Sequence, residues 1–295
     1  MQKESMKNLF KKIYHILPFK KNIYLFIKYL PLPQTIYQHL YFYDSFEVKI
    51  ENKKFKLQHY GFFIENEIFW KGLFKAWEKI SMSIWVKLSK DSICIFDIGA
   101  NTGIYGLVAK TQNPNAKVFA FEPVSRVYEK LKYNCMLNNY NINCQEYAVS
   151  DKDGIASIWD IPTNEHTLSV TVNKNTAGTG NLVEEIKIRT ITLSTFIENY
   201  NISRIDLMKI DVESHEVELL KGMGKYLNRM RPTMLMEIVS EENAKKVEEI
   251  LQGMEYLYFN IDEINPPRRV DHLSKSDHYN YLLCNEKIAI YLGLI

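Results

Sequence analysis

From residue 92 onward, short apolar runs alternate with longer segments in which apolar residues recur every three or four positions. Runs of the first kind predict buried strands, and segments of the second kind predict helices. The predicted strands cover residues 93–96, 117–121, 143–149, 205–212, 233–238, 256–259 and 281–284. The predicted helices cover residues 102–110, 125–138, 193–200, 214–227 and 242–253. Strands that alternate with helices predict a parallel sheet with helices on both faces, and the last two strands, which have no helix between them, predict an antiparallel finish.

The pattern before residue 92 is different and predicts an appendage to this sheet. Residues 1–33 are basic and aromatic, with apolar positions at near-helical spacing that end at prolines. Alternation of apolar and polar residues at 46–50 and 54–57 predicts a β-hairpin. An aromatic stretch over 67–88 predicts a helix whose rings pack in the core.

The alternation of strands and helices is interrupted once, by a predicted β-ribbon insertion over about 154–190. A polar loop rich in Asn, Thr and Gly, residues 173–181, joins the two strands of this ribbon. We therefore expect two parts. Residues 1–60 form a basic, aromatic helical segment with the hairpin, and residues 61–295 form an α/β domain that contains the ribbon.

Composition and charge narrow the class of protein. The 295 residues are 46% hydrophobic and 24% charged, as in an ordinary globular chain, and the net charge of +2 gives no reason to expect a nucleic acid as partner. The four cysteines form no C-x-x-C pair and lack zinc-site spacing, which favours reduced thiols in a cytoplasmic protein. We expect no secretory signal and no membrane-spanning helix, which needs roughly 20 apolar residues. The basic segment 1–33 allows two interpretations, a helix packed on the main domain or contact with an anionic membrane surface.

The stretch Phe-Asp-Ile-Gly-Ala-Asn-Thr-Gly-Ile-Tyr-Gly at 96–106 follows the first strand of the alternation. In α/β sheets, ligands bind beyond the carboxyl ends of the strands, and glycine lets the backbone approach a ligand closely. Gly99, Asn101 and Gly103 shape this turn, but their spacing does not match the dinucleotide fingerprint G-x-G-x-x-G. The turn also begins with Asp97, whose charge suits a cationic ligand such as S-adenosylmethionine better than an anionic pyrophosphate.

The second strand ends at Glu122, which is followed by Pro123. A carboxylate at this position can accept hydrogen bonds from the ribose hydroxyls of a cofactor. The order of strand, glycine turn, helix, strand and acid therefore favours a nucleoside-bearing cofactor over the alternative of a tight turn with a capping glutamate. After the third strand, Ala148, Val149 and Ser150 are placed to flank the adenine, mainly through their backbone.

Four segments together resemble the FkbM family of S-adenosylmethionine-dependent methyltransferases. They are D-I-G-A-N-T-G at 97–103, F-E-P at 121–123, A-V-S-D at 148–151 and D-L-M-K-I-D-V-E-S-H-E at 206–216. The resemblance implies an α/β fold of the class I methyltransferase type, a Rossmann-like doubly wound sheet of seven strands in the order 3-2-1-4-5-7-6 with the last strand antiparallel. The chain departs from the family at Ser214, where the family has glycine. Because serine is a good helix N-cap, we expect only a modest local change there.

The fourth strand and the residues after it carry the candidate catalytic groups. Strand parity places Lys209, Asp211 and Glu213 on one side of the strand. A buried Lys209 needs a carboxylate partner, for which Glu237 on a neighbouring strand is suitable. His215 is the candidate base for an acceptor hydroxyl, because its unperturbed pKa is near neutral, and Asp211 and Glu213 would orient it or bind the acceptor. Two alternatives stay open, a purely structural ion pair at Lys209 and a divalent metal ion held by Asp211, Glu237 and His215.

These features predict an O-methyltransferase that uses S-adenosylmethionine and acts on a hydroxyl. The resemblance implies that the acceptor is a sugar of a bacterial surface glycan or a related metabolite. Two other functions stay open, a nucleotide-sugar-modifying Rossmann enzyme and a non-catalytic binding module that keeps the cofactor fold. We expect a hydroxyl-bearing small molecule or glycan as partner, no nucleic acid, and a cytoplasmic location. A homodimer and peripheral contact with the inner membrane through residues 1–33 are left open.

Overall fold

A computed structural model describes residues 19–76, 78–160, 170–171 and 184–295, the pair 170–171 by its backbone alone. The helix predicted before Pro18 and the polar loop 173–181 lie outside the described residues. Among the helices of the described part, none is long and apolar enough to cross a membrane.

The first described part of the chain consists of short helices around a β-hairpin. Its elements are α1 (Lys20–Ile27), α2 (Gln34–Tyr37), β1 (Ser45–Ile50), β2 (Lys53–Gln58), α3 (Phe63–Lys71) and α4 (Lys79–Ser89). The hairpin strands β1 and β2 pair antiparallel, with Phe46 opposite Leu57. The single helix predicted over 67–88 is wrong. Gly72 adopts a φ of 84°, which ends α3, and a short 3₁₀ turn precedes α4.

The rest of the chain follows the predicted alternation of strands and helices. Its elements are β3 (Cys94–Ile98), α5 (Ile104–Gln112), β4 (Lys117–Phe121), α6 (Ser125–Leu137), β5 (Ile142–Gln145), β6 (Ala148–Val149), β7 (Gly154–Asp160), β8 (Val170–Thr171), β9 (Glu184–Ile191), α7 (Leu193–Asn199), β10 (Leu207–Ile210), α8 (Glu216–Met223), α9 (Lys225–Met230), β11 (Thr233–Glu237), α10 (Glu241–Leu251), β12 (Leu257–Ile261), β13 (Arg268–Val270), β14 (Asn280–Cys284) and α11 (Glu286–Leu292).

Eight strands form the central sheet, in the order β13-β12-β14-β11-β10-β3-β4-β5. The five strands from β11 to β5 are parallel, whereas β14 runs antiparallel to both β11 and β12. The expected mixed α/β sheet is therefore present. The expected count of seven strands is wrong, because β13, inside a connector that shows no strand pattern, pairs antiparallel with β12 at the sheet edge.

A second, four-stranded sheet has the order β6-β9-β7-β8. The predicted ribbon strands are β7 and β9, which pair antiparallel from Gly154 opposite Thr190 to Asp160 opposite Glu184. The single strand predicted over 143–149 is wrong. Its first half is β5 of the central sheet, and its second half is β6, which pairs with β9 instead.

Two further differences from the sequence prediction concern helices. The helix predicted over 214–227 begins two residues later and breaks at Gly224, whose φ of 53° separates α8 from α9. The helix α11 at the end of the chain has no counterpart among the predicted elements.

Apolar side chains cover both faces of the central sheet. Along β3, Ile95 packs with the N-terminal helices and α5, whereas its neighbour Phe96 packs with α7 and α8 on the opposite face. On the first face, the buried indole of Trp85 donates a hydrogen bond to the Tyr105 carbonyl at 2.9 Å. Both faces of the central sheet are therefore covered by apolar side chains. Polar residues lie instead at the carboxyl ends of the strands.

Candidate active site

A cavity of about 490 Å³ lies beyond the carboxyl ends of β3, β4, β10 and β11. Parallel strands bring the residues that follow them to this one edge of the sheet. All four candidate catalytic residues line the cavity, Lys209, Asp211, Glu213 and His215. Of the candidate cofactor residues, those lining it are Asp97, Gly99, Asn101, Glu122, Pro123, Ala148, Val149, Ser150 and Asp211. Gly103 is not part of the wall.

The turn after β3 is packed too tightly for any residue other than glycine at two positions. Gly99 has a φ of 79°, and a Cβ there would lie 1.8 Å from the Asp211 carbonyl oxygen. Gly103 has a φ of 91°, and a Cβ would lie 2.4 Å from a methyl carbon of Leu131. Gly103 therefore lets the turn pack against Leu131 of α6, while Gly99 lets the turn contact the end of β10.

Asp97 is almost completely buried within β3 and acts on the backbone of the turn. Its Oδ2 accepts a hydrogen bond from the Gly106 N–H at 2.8 Å, in the first turn of α5. Burial raises the pKa of Asp97 to about 7. The carboxyl group that the sequence suggested as a partner for a cationic ligand is thus committed in part to holding the turn against its helix.

Glu122 is fixed by two backbone groups. Its Oε2 accepts from the Asn101 N–H at 3.0 Å, and its Oε1 accepts from the Val124 N–H at 2.9 Å. Asn101 itself has a φ of 51°, the left-handed conformation that asparagine tolerates. Burial raises the pKa of Glu122 to about 7. The turn after β3 and the acid after β4 therefore form one rigid wall of the cavity.

Sequence reasoning missed the contribution of the N-terminal part to this wall. Glu65 of α3 is fully buried, and its Oε1 accepts a hydrogen bond from the Thr102 hydroxyl at 3.0 Å. The other oxygen, Oε2, has no hydrogen-bond partner, and burial raises the pKa of Glu65 to about 7. The aromatic residues just before and at the start of α3, Phe62 and Phe63, also line the cavity. Nothing in the local sequence around α3 indicates contact with a turn some forty positions away.

The buried carboxyl group of Glu65 leads to a prediction about pH. Because the folded-state pKa of about 7 lies above the ordinary value of 4.5, the bound proton adds stability below pH 4.5, and this stability is lost as the pH rises through about 7. Glu65→Gln, which keeps the acceptor for Thr102 without the charge, is expected to stabilise the fold by about 1–2 kcal/mol near pH 8 and to have little effect near pH 5.

Thermal unfolding of the two proteins at both pH values measures this effect. Glu129→Gln on the exposed face of α6 is the matched control and should show no such difference. A variant that is destabilised more at the higher pH would contradict the assignment, because Glu65 would then be stabilising as a carboxylate.

Lys209 lies at the centre of a buried cluster of acids. Its Nζ pairs with Asp211 Oδ2 at 3.3 Å and lies 5.2 Å from the centre of the Tyr105 ring. Burial lowers its pKa, but the charges of Asp211, Glu78 and Glu237 outweigh burial and raise the pKa above its ordinary value. The direct partner is thus Asp211 rather than the expected Glu237, which acts over a longer distance.

Two further carboxyl groups of this cluster line the cavity. Glu78, just before α4, accepts hydrogen bonds from the Tyr105 hydroxyl at 2.5 Å and from the Asn280 amide at 3.0 Å, and burial raises its pKa. Glu237, at the end of β11, has a pKa raised to about 8, first by burial and then by the neighbouring Asp211 carboxylate. No sequence pattern indicates the role of Glu78, because its partners come from distant parts of the chain.

His215 faces Ser150 across the cavity wall. Its Nε2 lies 2.9 Å from Ser150 Oγ, and its Nδ1 lies 3.5 Å from Glu218 Oε2. The expectation that Asp211 or Glu213 orients the ring is wrong in detail, since the contacts come from Ser150 and Glu218. Ser150, expected to act mainly through its backbone beside an adenine, makes this contact through its side chain.

The turn between β10 and α8 has an unusual backbone. Glu213 and Ser214 have φ values of 50° and 73°, and the N-cap of α8 is His215. The expectation that Ser214 caps the helix is therefore wrong. The buried Glu216 holds the turn by accepting from the Ser214 N–H at 3.0 Å, and the Asn243 amide donates to the Ser214 carbonyl at 2.8 Å. These bonds hold a non-glycine residue in the left-handed conformation.

The structure also tests the alternative in which Asp211, Glu237 and His215 hold a divalent metal ion. Within the described ranges, no three or more His, Cys, Asp or Glu side chains are grouped so that they could hold a metal ion. Asp211, Glu237 and His215 are therefore not brought together as such a group.

The sequence model of the methyltransferase FkbM domain matches residues 97–261, more than half of the chain. The chain belongs to the FkbM methyltransferase family. It is 26% identical over 157 residues to the hexuronic acid methyltransferase AglP of Haloferax volcanii, covering 53% of this chain and 60% of that protein. It is 28% identical over 154 residues to the 31-O-demethyl-FK506 methyltransferase FkbM of Streptomyces tacrolimicus, covering 44% of this chain and 58% of that protein. The chain thus matches about 60% of the length of these relatives.

Among solved structures, a methyltransferase FkbM from Methylobacillus flagellatus superposes with a TM-score of 0.41 at 14% identity, covering 65% of this chain and 43% of that one. The family match favours the methyltransferase function expected from the sequence over the two alternatives, a nucleotide-sugar-modifying enzyme and a non-catalytic binding module.

The cavity of this FkbM-family protein fits a cationic donor. The described residues of its wall carry six carboxyl groups, against Lys209 and His215 as the groups that can bear positive charge. The turn after β3 forms one side of this cavity through residues that include Gly99 and Asn101. When bound, S-adenosylmethionine supplies a methyl group attached to a sulfonium, which is open to in-line displacement.

Proposed function

We propose that this chain methylates a hydroxyl group of a sugar or a related metabolite, with S-adenosylmethionine held in the cavity at the carboxyl edge of the sheet. The observation that carries the proposal is the contact between Gly99 and Asp211. This contact joins the turn after β3 to the acidic end of β10, so that a cofactor site and a group of acceptor-binding carboxylates share one wall. The relatives' names add support, since they describe a hexuronic acid and an O-demethyl compound as substrates.

The fold supports the same proposal in finer detail. The strands β5-β4-β3-β10-β11-β14-β12 have the order 3-2-1-4-5-7-6 when numbered by their place in the chain, and β14 is the antiparallel one. We assign these seven strands to the class I methyltransferase sheet and regard β13 as an addition at its edge.

We assign the cofactor's parts to three segments of the wall. Gly99 and Asn101 place the turn after β3 against the donor, with Gly103 and Asp97 shaping that turn. Glu122 accepts hydrogen bonds from the ribose hydroxyls, because both its oxygens line the wall in fixed positions. We place four residues of the wall beside the adenine: Pro123, Ala148, Val149 and Ser150.

The assignment of Glu122 predicts a loss of cofactor affinity. Glu122→Gln replaces one acceptor oxygen by an amide that cannot accept from the Asn101 or Val124 N–H and cannot accept from a ribose hydroxyl. We expect about tenfold to a hundredfold weaker binding of S-adenosylhomocysteine by calorimetric titration. Glu129→Gln on the exposed face of α6 should bind as the wild type does. Equal affinity in the Glu122 variant would show that the ribose contact is wrongly assigned.

We assign the proton transfer to His215. The acceptor oxygen would bond to the methyl carbon as the methyl–sulfur bond of S-adenosylmethionine breaks and the thioether S-adenosylhomocysteine leaves. The hydroxyl proton would pass to Nε2, with Glu218 near Nδ1 to stabilise the resulting imidazolium. Asp211 and Glu213 bind neighbouring hydroxyls of the acceptor. Lys209 holds Asp211 in place through their ion pair and is a positioning residue.

The proposed function is tested by transfer of a labelled methyl group. The purified chain is incubated with S-adenosylmethionine labelled in its methyl group and a panel of neutral sugars, hexuronic acids and hydroxylated metabolites, and products are identified by mass spectrometry. The proposal predicts a methyl ether that is stable to alkali. A methyl ester that alkali removes, or a methyl group on nitrogen or carbon, would contradict it.

A further inference from the structure

The first described helix presents an apolar surface to solvent. Phe26 and Tyr29 are both 85% exposed, and Phe19 and Leu30 are more than half exposed. We call the exposed apolar side chains of this helix and its flanking residues the N-terminal apolar face: Phe19, Ile23, Leu25, Phe26, Tyr29 and Leu30. Soluble domains expose single apolar residues commonly, but a continuous group of them marks an interaction surface.

This helix is held firmly against the rest of the domain by its opposite side. Tyr24 is buried, and its ring lies 5.6 Å from that of Trp70 and 6.3 Å from that of Phe42. The Lys28 ammonium lies 4.8 Å from the centre of the Phe69 ring. Because these contacts fix the orientation of α1, the exposure of Phe26 and Tyr29 belongs to the packed fold.

The chain around this face has a charge opposite to that of the remainder. The first 43 residues hold seven of the 37 basic residues and one of the 35 acidic residues, so the remainder has 30 basic and 34 acidic residues. The seven lysines are Lys3, Lys7, Lys11, Lys12, Lys20, Lys21 and Lys28. Among them, Lys21 pairs with Asp44 at 3.0 Å. The exposed aromatic side chains thus belong to a part of the sequence with an excess of positive charge.

Charge distinguishes three candidates that could cover the N-terminal apolar face: a second copy of the chain, residues 1–18, or an anionic membrane surface. A second copy of the chain would bring one lysine-rich surface against another, with like charges opposed. Residues 1–18 hold four of the lysines and a single acid, Glu4, so they have the same sign of charge as the face that they would cover. An anionic surface that also has an apolar interior matches both the lysines and the aromatic rings.

We propose that the N-terminal apolar face docks on an anionic phospholipid bilayer, with Phe26 and Tyr29 entering the interface and the surrounding lysines lying at the lipid headgroups. Membrane binding by an amphipathic segment combines apolar burial with attraction of basic residues to anionic lipid, and either signal alone binds weakly. The interaction is peripheral, and it does not depend on which acceptor the cavity takes.

Flotation of the full-length chain with lipid vesicles tests this inference. The chain should bind vesicles of phosphatidylcholine mixed with an equal part of phosphatidylglycerol, and should bind pure phosphatidylcholine at least about tenfold more weakly. Phe26→Ser combined with Tyr29→Ser should weaken binding to the anionic vesicles about tenfold or more. Met136→Ser combined with Ile264→Ser, which removes two exposed apolar side chains outside this face, should leave binding unchanged.

Three results would overturn the inference. The first is no binding to the anionic vesicles by a folded protein. The second is binding that the Phe26 and Tyr29 substitutions do not weaken, because the face would then have no part in it. The third is a dimer in sedimentation velocity that the same two substitutions dissociate, which would make the face an interface between two copies. Binding of S-adenosylhomocysteine is measured on every variant, so that failure of membrane docking stays separate from failure of the proposed function.

Discussion

Gly99→Ala is expected to abolish saturable binding of S-adenosylmethionine and to destabilise the fold by about 3–5 kcal/mol. The added methyl group would lie 1.8 Å from the Asp211 carbonyl oxygen, and backbone atoms cannot move aside as the end of a flexible side chain can. The turn after β3 or the end of β10 must therefore shift. Either shift disrupts the wall that places Asn101 against Glu122. Thermal unfolding and calorimetric titration measure the two effects.

Gly72→Ala is the matched control for this variant. Gly72 has a φ of 84°, close to that of Gly99, but a Cβ there would meet nothing within 4 Å. The control therefore carries the backbone strain of a non-glycine residue at positive φ without the collision, at a cost of about 1–3 kcal/mol. If both variants lost the same stability and bound cofactor equally, the contact between Gly99 and Asp211 would not be essential to the site.

His215→Gln is expected to slow methyl transfer by about 10²–10⁴-fold while leaving the affinity for S-adenosylmethionine unchanged. Glutamine retains a polar group that can contact Ser150, but it cannot accept the proton released by the acceptor hydroxyl. Single-turnover rates with the acceptor found by the methyl-transfer screen measure the chemical step, and titration measures the affinity.

The control for this prediction is His272→Gln. His272 pairs with Glu248 on the surface near α10 and lies outside the cavity wall. An unchanged rate in the His215 variant would remove it as the base. The proton would then pass to another group of the cavity wall, such as the Asp211 carboxylate.

The sequence correctly predicts that Gly99, Asn101 and Glu122 lie at one cavity, because these residues are close to one another along the chain. Gly99, Asn101 and Glu122 belong to a single strand–helix–strand unit, and the bonds of Glu122 to the backbone of the turn lie within it. The regular alternation of apolar strands and periodic helices fixes their position at one edge of the sheet. The sequence pattern of this strand–helix–strand unit therefore agrees with its structure.

The contacts of two buried glutamates could not be predicted in the same way. Glu78 contacts Tyr105 and Asn280, and Glu65 contacts Thr102, across large separations in the chain. Contacts between such distant residues produce no periodic pattern in the sequence. A glutamate in a helix that contains both apolar and polar residues is therefore predicted to be exposed, even when it is buried. The partner of Lys209 was misjudged for a related reason, since pairing along the strand to Asp211 competes with pairing across the sheet to Glu237.

Other errors in the sequence prediction concern the ends of helices, where the backbone conformation of a single residue decides the boundary. Gly72 and Gly224 each divide a predicted helix in two, because a positive φ at glycine stops a helix whose apolar period continues beyond it. Ser214 adopts a conformation that serine rarely takes, and the buried Glu216 and Asn243 that hold it there are identified only when α8 and α10 are seen packed together.

Binding of S-adenosylmethionine in the cavity at the carboxyl edge of the sheet is the first step of the proposed methyl transfer to a hydroxyl. Calorimetric titration of the folded 295-residue chain with S-adenosylmethionine, and separately with S-adenosylhomocysteine, measures this binding. We expect saturable binding with a dissociation constant of roughly micromolar magnitude, weakened in Glu122→Gln and lost in Gly99→Ala. The absence of binding to either compound, together with no rise in the melting temperature when either is added in excess, would contradict the account.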